Sequence, residues 1–249
     1  MIQDFPYLQR VSLKEKDIES FDVYPFSIPA INKLDYIKFT EGVTIFVGEN
    51  GTGKSTLLEA IAVSLGFNAE GGTLNFNFST RETHSDLHKY FRLAKGFKKH
   101  KDGFFLRAES FYNVATEIDE LDEASDYGRP IKDSYGGKSL HNQSHGESFI
   151  SLLFKRFWGN GLYILDEPEA ALSPNRQLAV ISRISQLVKK NSQFIIATHS
   201  PILMAYPGAT IYQIDETGIH EVAYEDTEHY QVTKAFINNP KRMLDELID

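Results

Sequence analysis

The sequence predicts an α/β protein in which a mostly parallel central sheet is flanked by helices. Short apolar runs recur, and each ends in a loop bearing glycine, acid or histidine, as expected of buried parallel strands whose functional groups collect at one sheet edge. Stretches with helical recurrence of apolar residues lie between these runs. A Gly-rich loop joins one apolar run directly to a helix.

Residues 43–48 (VTIFVG), 104–110 (FFLRAES), 162–167 (LYILDE) and 194–200 (FIIATHS) are the expected strands. Helices are expected over 55–64, directly after the Gly-rich loop, over 148–158, which carries a broad apolar face, and over 175–190. Residues 68–88 and 122–144 are polar and rich in glycine or serine, so they read as loops or irregular structure. Residues 228–249 read as an amphipathic helix following a hairpin.

Composition excludes several classes. No run of 18 apolar residues exists, and the N-terminus has neither the basic start nor the apolar core of a signal peptide, so a cytoplasmic chain without membrane insertion is expected. The absence of cysteine removes disulfides, thiolate zinc sites and thiol nucleophiles. A net charge of −8 argues against a uniformly basic surface. One basic cluster stands out nevertheless: Lys89, Arg92, Lys95, Lys98, Lys99, His100 and Lys101, followed by an acidic stretch from Glu117 to Asp126. Such a cluster is either a solvated surface or a local nucleic-acid site.

The segment Gly48-Glu49-Asn50-Gly51-Thr52-Gly53-Lys54-Ser55 fits G-x-x-x-x-G-K-[ST] and lies between an apolar strand and a helix, as that motif requires. Glycines let backbone N–H groups close around phosphate oxygens, and the helix start adds partial positive charge. Lys54 is expected to reach the β- and γ-phosphates of a nucleotide, and the Ser55 hydroxyl to bind Mg²⁺. Asn50, Gly51, Gly53 and Thr56 complete the expected nucleotide contacts. At the end of LYILDE, Asp166 is the candidate to hold Mg²⁺, and Glu167 the candidate to orient or deprotonate an attacking water.

Gln143-Ser144-His145-Gly146-Glu147-Ser148 opens a helix between these two elements. This stretch resembles a degenerate form of the ATP-binding-cassette signature, with Ser144, Gly146 and Glu147 matching and Gln143 and His145 departing. Asp166 to Pro174 and Ala197-Thr198-His199-Ser200-Pro201 complete the resemblance, which covers about residues 20–215. It implies a P-loop NTPase fold of ABC type on a single domain, 1–249. A helical or irregular signature subdomain would be inserted at about 68–160, and an antiparallel β portion would lie near the N-terminus. It also implies that Ser144 and Gly146 of one copy cap the ATP held by another, in an ATP-dependent homodimer. His199 resembles the switch histidine that contacts the γ-phosphate, and residues 170–173 resemble the loop that crosses the dimer. Glu109 falls where the family places a metal-contacting glutamine. Tyr24 lies near the position of an adenine-stacking aromatic.

Within the family, the Gly-Glu of the signature, DEPE and THSP are similar to soluble chromosome-maintenance, DNA-repair and OLD-like heads and to predicted bacterial defence ATPases. The stretch between Ser55 and Ser144 is too short for a long coiled-coil arm. The expectation is an ATP- and Mg²⁺-dependent ATPase acting as a switch or motor in DNA maintenance or phage-defence-like processes with a separate effector, and with DNA as a further candidate partner. The alternatives are the nucleotide-binding subunit of a transporter, and a non-catalytic nucleotide-binding module.

Overall fold

The computed structural model describes residues 6–74, 85–108, 111–124, 133, 141 and 144–248. Its central sheet has six strands: β3 (Val43–Val47), β5 (Asp102–Arg107), β6 (Gly161–Asp166), β7 (Gln193–Ala197), β8 (Thr210–Asp215) and β9 (Gly218–Val222), in the order β5-β6-β7-β3-β8-β9. All neighbours are parallel except the β8–β9 hairpin. Placing β3 between β7 and β8 brings the loop after β3 beside the ends of β6 and β7.

Every residue of β3, β6 and β7 is buried, which explains their unbroken apolar sequences. The two-residue strand period divides each between two cores. Val43, Ile45, Tyr163, Leu165, Phe194 and Ile196 pack with helices α3 (Phe111–Ala124), α4 (His145–Ser151) and α5 (Pro174–Val188) on one face. On the other face Phe46, Leu162, Ile164 and Ile195 pack with α2 (Lys54–Leu65) and the short α1 (Pro29–Asn32).

The same face carries a second sheet, antiparallel, in the order β2 (Tyr36–Lys38), β1 (Leu8–Leu13), β4 (Phe91–Lys95). It covers α2 with Leu8, Val11, Ile37 and Phe91. Gln193 ties this layer to the central sheet. Its side chain accepts from Leu8 N at 2.9 Å and donates to Leu8 O at 2.8 Å, all within the core. Losing that amide would leave two buried backbone groups unmet, at about 1–3 kcal/mol each.

Several elements differ from the expectations. The strand expected over 104–110 runs over Asp102–Arg107. The helix expected over 148–158 starts earlier, at His145, because Ser144 caps it, and it ends in a π-helical turn over Leu152–Arg156. Helix α3 was not expected and runs into the start of the 122–144 stretch read as loop, and residues 68–160 also supply β4 to the antiparallel sheet and β5 to the central one. The loop expected over 68–88 includes a 3₁₀ turn at Asp86–Tyr90. The expected single C-terminal helix is two, α7 (Glu228–Asn238) and α8 (Pro240–Ile248), because Pro240 cannot continue the helix hydrogen bonding. A further short helix, α6 (Pro201–Met204), follows β7.

Candidate functional site

The loop from β3 to α2 has positive φ at Gly48 (150°), Gly51 (81°) and Gly53 (100°). At both ends close packing adds to this requirement. A Cβ on Gly48 would lie 2.3 Å from Ile214 O, and one on Gly53 would lie 2.7 Å from Ile28 Cγ2. Gly53 is the N-cap of α2 and supplies no capping side chain, so the start of α2 is left open to an anionic ligand.

Lys54 is buried, and its amine donates to Gly48 O at 2.8 Å and Glu49 O at 2.6 Å. Burial lowers its pKa, opposed by the carboxylates of Glu167, Asp166, Glu169 and Glu49. Ser55 Oγ donates to Asp166 Oδ1 at 3.2 Å, so the hydroxyl after the loop and the acid at the end of β6 meet as the sequence implies. These two hard oxygen donors suit Mg²⁺, which keeps most of its waters and takes few protein ligands. Asn50 and Gly51 are exposed and line a cleft of about 820 Å³ with Glu49, Thr52 and the β8–β9 hairpin. Thr56 is half-buried on the first turn of α2.

Glu167 adopts left-handed backbone geometry (φ 51°), and its N–H donates to Ala197 O at 2.9 Å, which turns the chain sharply at the end of β6. Its carboxylate stays partly open to solvent and lies 3.5 Å from His199 Nε2. Glu169 was assigned no role from sequence, yet its buried carboxylate accepts from His199 N at 2.6 Å. Burial raises the Glu169 pKa, and the His199 N–H opposes that rise. The two acids spaced i, i+2 after the strand were the available signal.

His199 holds a second partner absent from the sequence reading. Its Nδ1 lies 3.1 Å from Nε2 of His229, on the first turn of α7. Burial lowers the pKa of both imidazoles; Lys54 adds to this for His199, and the neighbouring His199 followed by Lys54 add to it for His229. Both rings are therefore neutral near pH 7.

Ser144 is exposed and caps α4 in a reciprocal box: its Oγ accepts from Glu147 N at 3.4 Å, and its own N–H donates to Glu147 Oε2 at 3.0 Å. Gly146 is buried against the turn that follows Glu167, where a Cβ would lie 2.4 Å from Ala171 O and 2.5 Å from Arg176 Nη1. Ser144, Gly146, Phe149, Glu167, Ala170 and Arg176 share a cleft of about 480 Å³ that Lys54 and Ser55 do not line. Tyr24 is 67% exposed and lines neither this cleft nor the one beside Asn50. Glu109 and Gln143 lie outside the described residues.

The basic cluster proves to be two things. Lys89 pairs with Asp86 at 2.8 Å, and the His100 ring is half-buried, stacked on Phe67, with its pKa lowered by burial. Arg92 and Lys95 instead lie exposed on β4, beside Arg10 of β1 and Lys38 of β2. The Arg10 guanidinium sits 4.7 Å from the centre of the exposed Tyr36 ring, and the loop beyond β4 adds exposed Phe97, Lys98, Lys99 and Lys101.

A glycine loop opening a helix, with the acids Asp166 and Glu167 at the end of a parallel strand of the same sheet, defines a P-loop nucleotide-binding protein. The AAA-domain family model matches residues 16–196, and the chain belongs to that family. It is a P-loop ATPase. An uncharacterized ABC transporter ATP-binding protein of Haemophilus influenzae is 26% identical over 200 residues, 74% of each chain. The ADP conformation of MJ1267, an ATP-binding cassette of an ABC transporter, shares the fold with a TM-score of 0.53 at 17% identity, over 95% of this chain and 96% of that one. An SMC head domain from Thermotoga maritima aligns at 16% identity over 88% of this chain and 100% of that chain, with a TM-score of 0.45. No helix among the described residues is long and apolar enough to cross a membrane.

Proposed function

We propose that the protein is an ATP-dependent dimerisation switch, in which two chains enclose two ATP molecules head to tail and hydrolysis releases them. The observation that carries this reading is the lining of the cleft into which the signature serine opens: it holds Glu167, Ala170 and Arg176 of the same chain, but neither Lys54 nor Ser55. A second copy would bring the serine to the nucleotide. Lys54 and the amides at the start of α2 would bind the β- and γ-phosphates, and Ser55 and Asp166 would hold Mg²⁺. When bound, Mg²⁺ would neutralise charge on the β- and γ-phosphate oxygens. Glu167 would orient the attacking water and take its proton, and His199 Nε2–H would hydrogen-bond the γ-phosphate. Tyr24, exposed, would stack on adenine; Ile28, four residues on, lies against Gly53 of the phosphate loop.

Ser144→Arg tests the shared site. ATP affinity of the isolated chain is expected to stay within about threefold of wild type, while turnover falls on the order of a hundredfold. Full turnover in this variant would end the head-to-tail arrangement.

The partner read through the switch is proposed to be nucleic acid. Arg10, Lys38, Arg92 and Lys95 form a positive sheet face carrying the aromatic ring of Tyr36, on a chain whose net charge is −8. Phosphate attraction and base stacking are the two uses such a face serves. Affinity for a DNA duplex or single strand is expected to fall steeply with salt, and to drop about tenfold or more when Lys98, Lys99 and Lys101 are neutralised together. Binding that ignores salt, or none, would remove DNA as the partner. The Haemophilus influenzae relative favours a second reading, the nucleotide-binding subunit of a transporter. Co-purification with a membrane protein would revive that reading.

A further inference from the structure

His229 lies outside every motif of the phosphate-loop and signature set, yet its ring meets the imidazole that faces Glu167. The approach is built, not incidental. Thr227, fully buried, caps α7 by donating to Tyr224 O at 2.7 Å and accepting from Tyr230 N at 3.4 Å. Tyr224 in turn donates from its hydroxyl to Pro201 O at 3.0 Å, two residues beyond His199. The start of α7 is therefore anchored to the same backbone that carries His199.

Two neutral imidazoles 3.1 Å apart share one proton between Nδ1 of His199 and Nε2 of His229. The surroundings decide which ring owns it. His199 Nε2 lies 3.5 Å from a Glu167 carboxylate oxygen. Were His199 protonated at Nδ1, its bare Nε2 would oppose that oxygen, lone pair against lone pair. With the proton on Nε2, His199 Nδ1 becomes an acceptor, and His229 must donate from its Nε2. His229 Nδ1 is then a bare lone pair. That atom and His199 Nε2 are both buried without a hydrogen-bond partner among the described residues, so either tautomer leaves one N–H short of a full hydrogen bond, and the Glu167 oxygen 3.5 Å from His199 Nε2 places the proton there.

We propose that His229 is the positioning residue of the switch histidine: its Nε2–H donates to His199 Nδ1 and holds His199 as the Nε2–H tautomer, with that proton directed towards Glu167 and the γ-phosphate side. This rests on the ATPase reading for its effect on turnover, though not for the tautomer itself. Protonated Nε2 is the form that can hydrogen-bond a phosphate oxygen, whereas the opposite tautomer would present a lone pair to it. Through this contact the placement of α7 sets the state of a ring in the site.

Two variants and one spectrum test it in the full-length chain. His229→Phe keeps an aromatic ring but removes the donor, and it is expected to lower turnover about ten- to hundredfold while ATP affinity is unchanged. His229→Gln places an amide N–H where the imidazole N–H sat, and is expected to recover turnover to within about threefold of wild type. Nitrogen NMR of the imidazoles is expected to show His199 protonated at Nε2 in the wild type and redistributed towards Nδ1 in His229→Phe. Wild-type turnover in His229→Phe, equal loss in Phe and Gln variants, or a wild-type His199 protonated at Nδ1 would each overturn the assignment. A wild-type chain that hydrolyses no ATP would instead end the hydrolytic reading, and the spectrum would still decide the tautomer.

Discussion

Glu167→Gln is expected to bind ATP with wild-type affinity and to hydrolyse it on the order of 10²–10³-fold more slowly. The amide keeps the shape of the side chain and its hydrogen-bonding reach while losing the ability to take a proton. Left-handed backbone at Glu167 points to a position fixed by its surroundings: the N–H is held by Ala197 O, and Pro168 follows at once. The substitution leaves that backbone alone, so the loss should fall on turnover and not on folding. Light scattering with ATP and Mg²⁺ gives a second readout, since a trapped ATP dimer doubles the mass. A mass that ignores ATP would leave a constitutive oligomer or a missing partner, and turnover unaffected by the variant would place the base elsewhere.

Lys54→Ala is expected to weaken ATP binding by about 3 kcal/mol, roughly 150-fold, because it removes charge-assisted hydrogen bonds to phosphate. Without ligand, the amine is already used to close the loop on itself, through Gly48 O and Glu49 O. Binding therefore exchanges internal hydrogen bonds for phosphate ones, and the variant loses both sets. A thermal melt separates the effects: Tm should fall by a few degrees at most, while affinity, followed by calorimetry, collapses. Unaltered affinity would remove Lys54 from the nucleotide site.

Buried parallel strands were legible because nothing dilutes their apolar runs: β3, β6 and β7 have no residue facing water. The bounds of the antiparallel strands were not. β8 buries two of its six residues, and β1 interleaves buried Leu8, Val11 and Leu13 with Gln9, Arg10 and Ser12, so neither stands out from the surrounding loops. Helix α3 was hidden by its acids: among its described side chains Val114, Ala115 and Ile118 are buried, while Glu117, Asp119, Glu120 and Asp122 read as solvated chain. At the site, Lys54, Ser55 and Asp166 were legible because the spacing of a glycine loop and the end of an apolar strand is local information. Glu169 and His229 were not, since their meaning comes from where His199 lies once the sheet has formed. Two of the seven residues of the basic cluster take their meaning from the fold for the same reason: Lys89 pairs with Asp86 and His100 stacks on Phe67, while Arg10 and Lys38, far away in sequence, join Arg92.

Gly146 carries one more implication. Its backbone rests on Ala171, four residues beyond Glu167 on a single short turn, and no side chain fits between them. Each chain would thus lend its neighbour a grip that is bolted to its own hydrolytic machinery. In a closed pair the two catalytic events would run in mechanical series: a tilt at one Glu167 pulls on the phosphate clasp of the opposite nucleotide. One crippled chain should then silence its intact companion, and mixed dimers would lose more than half their rate.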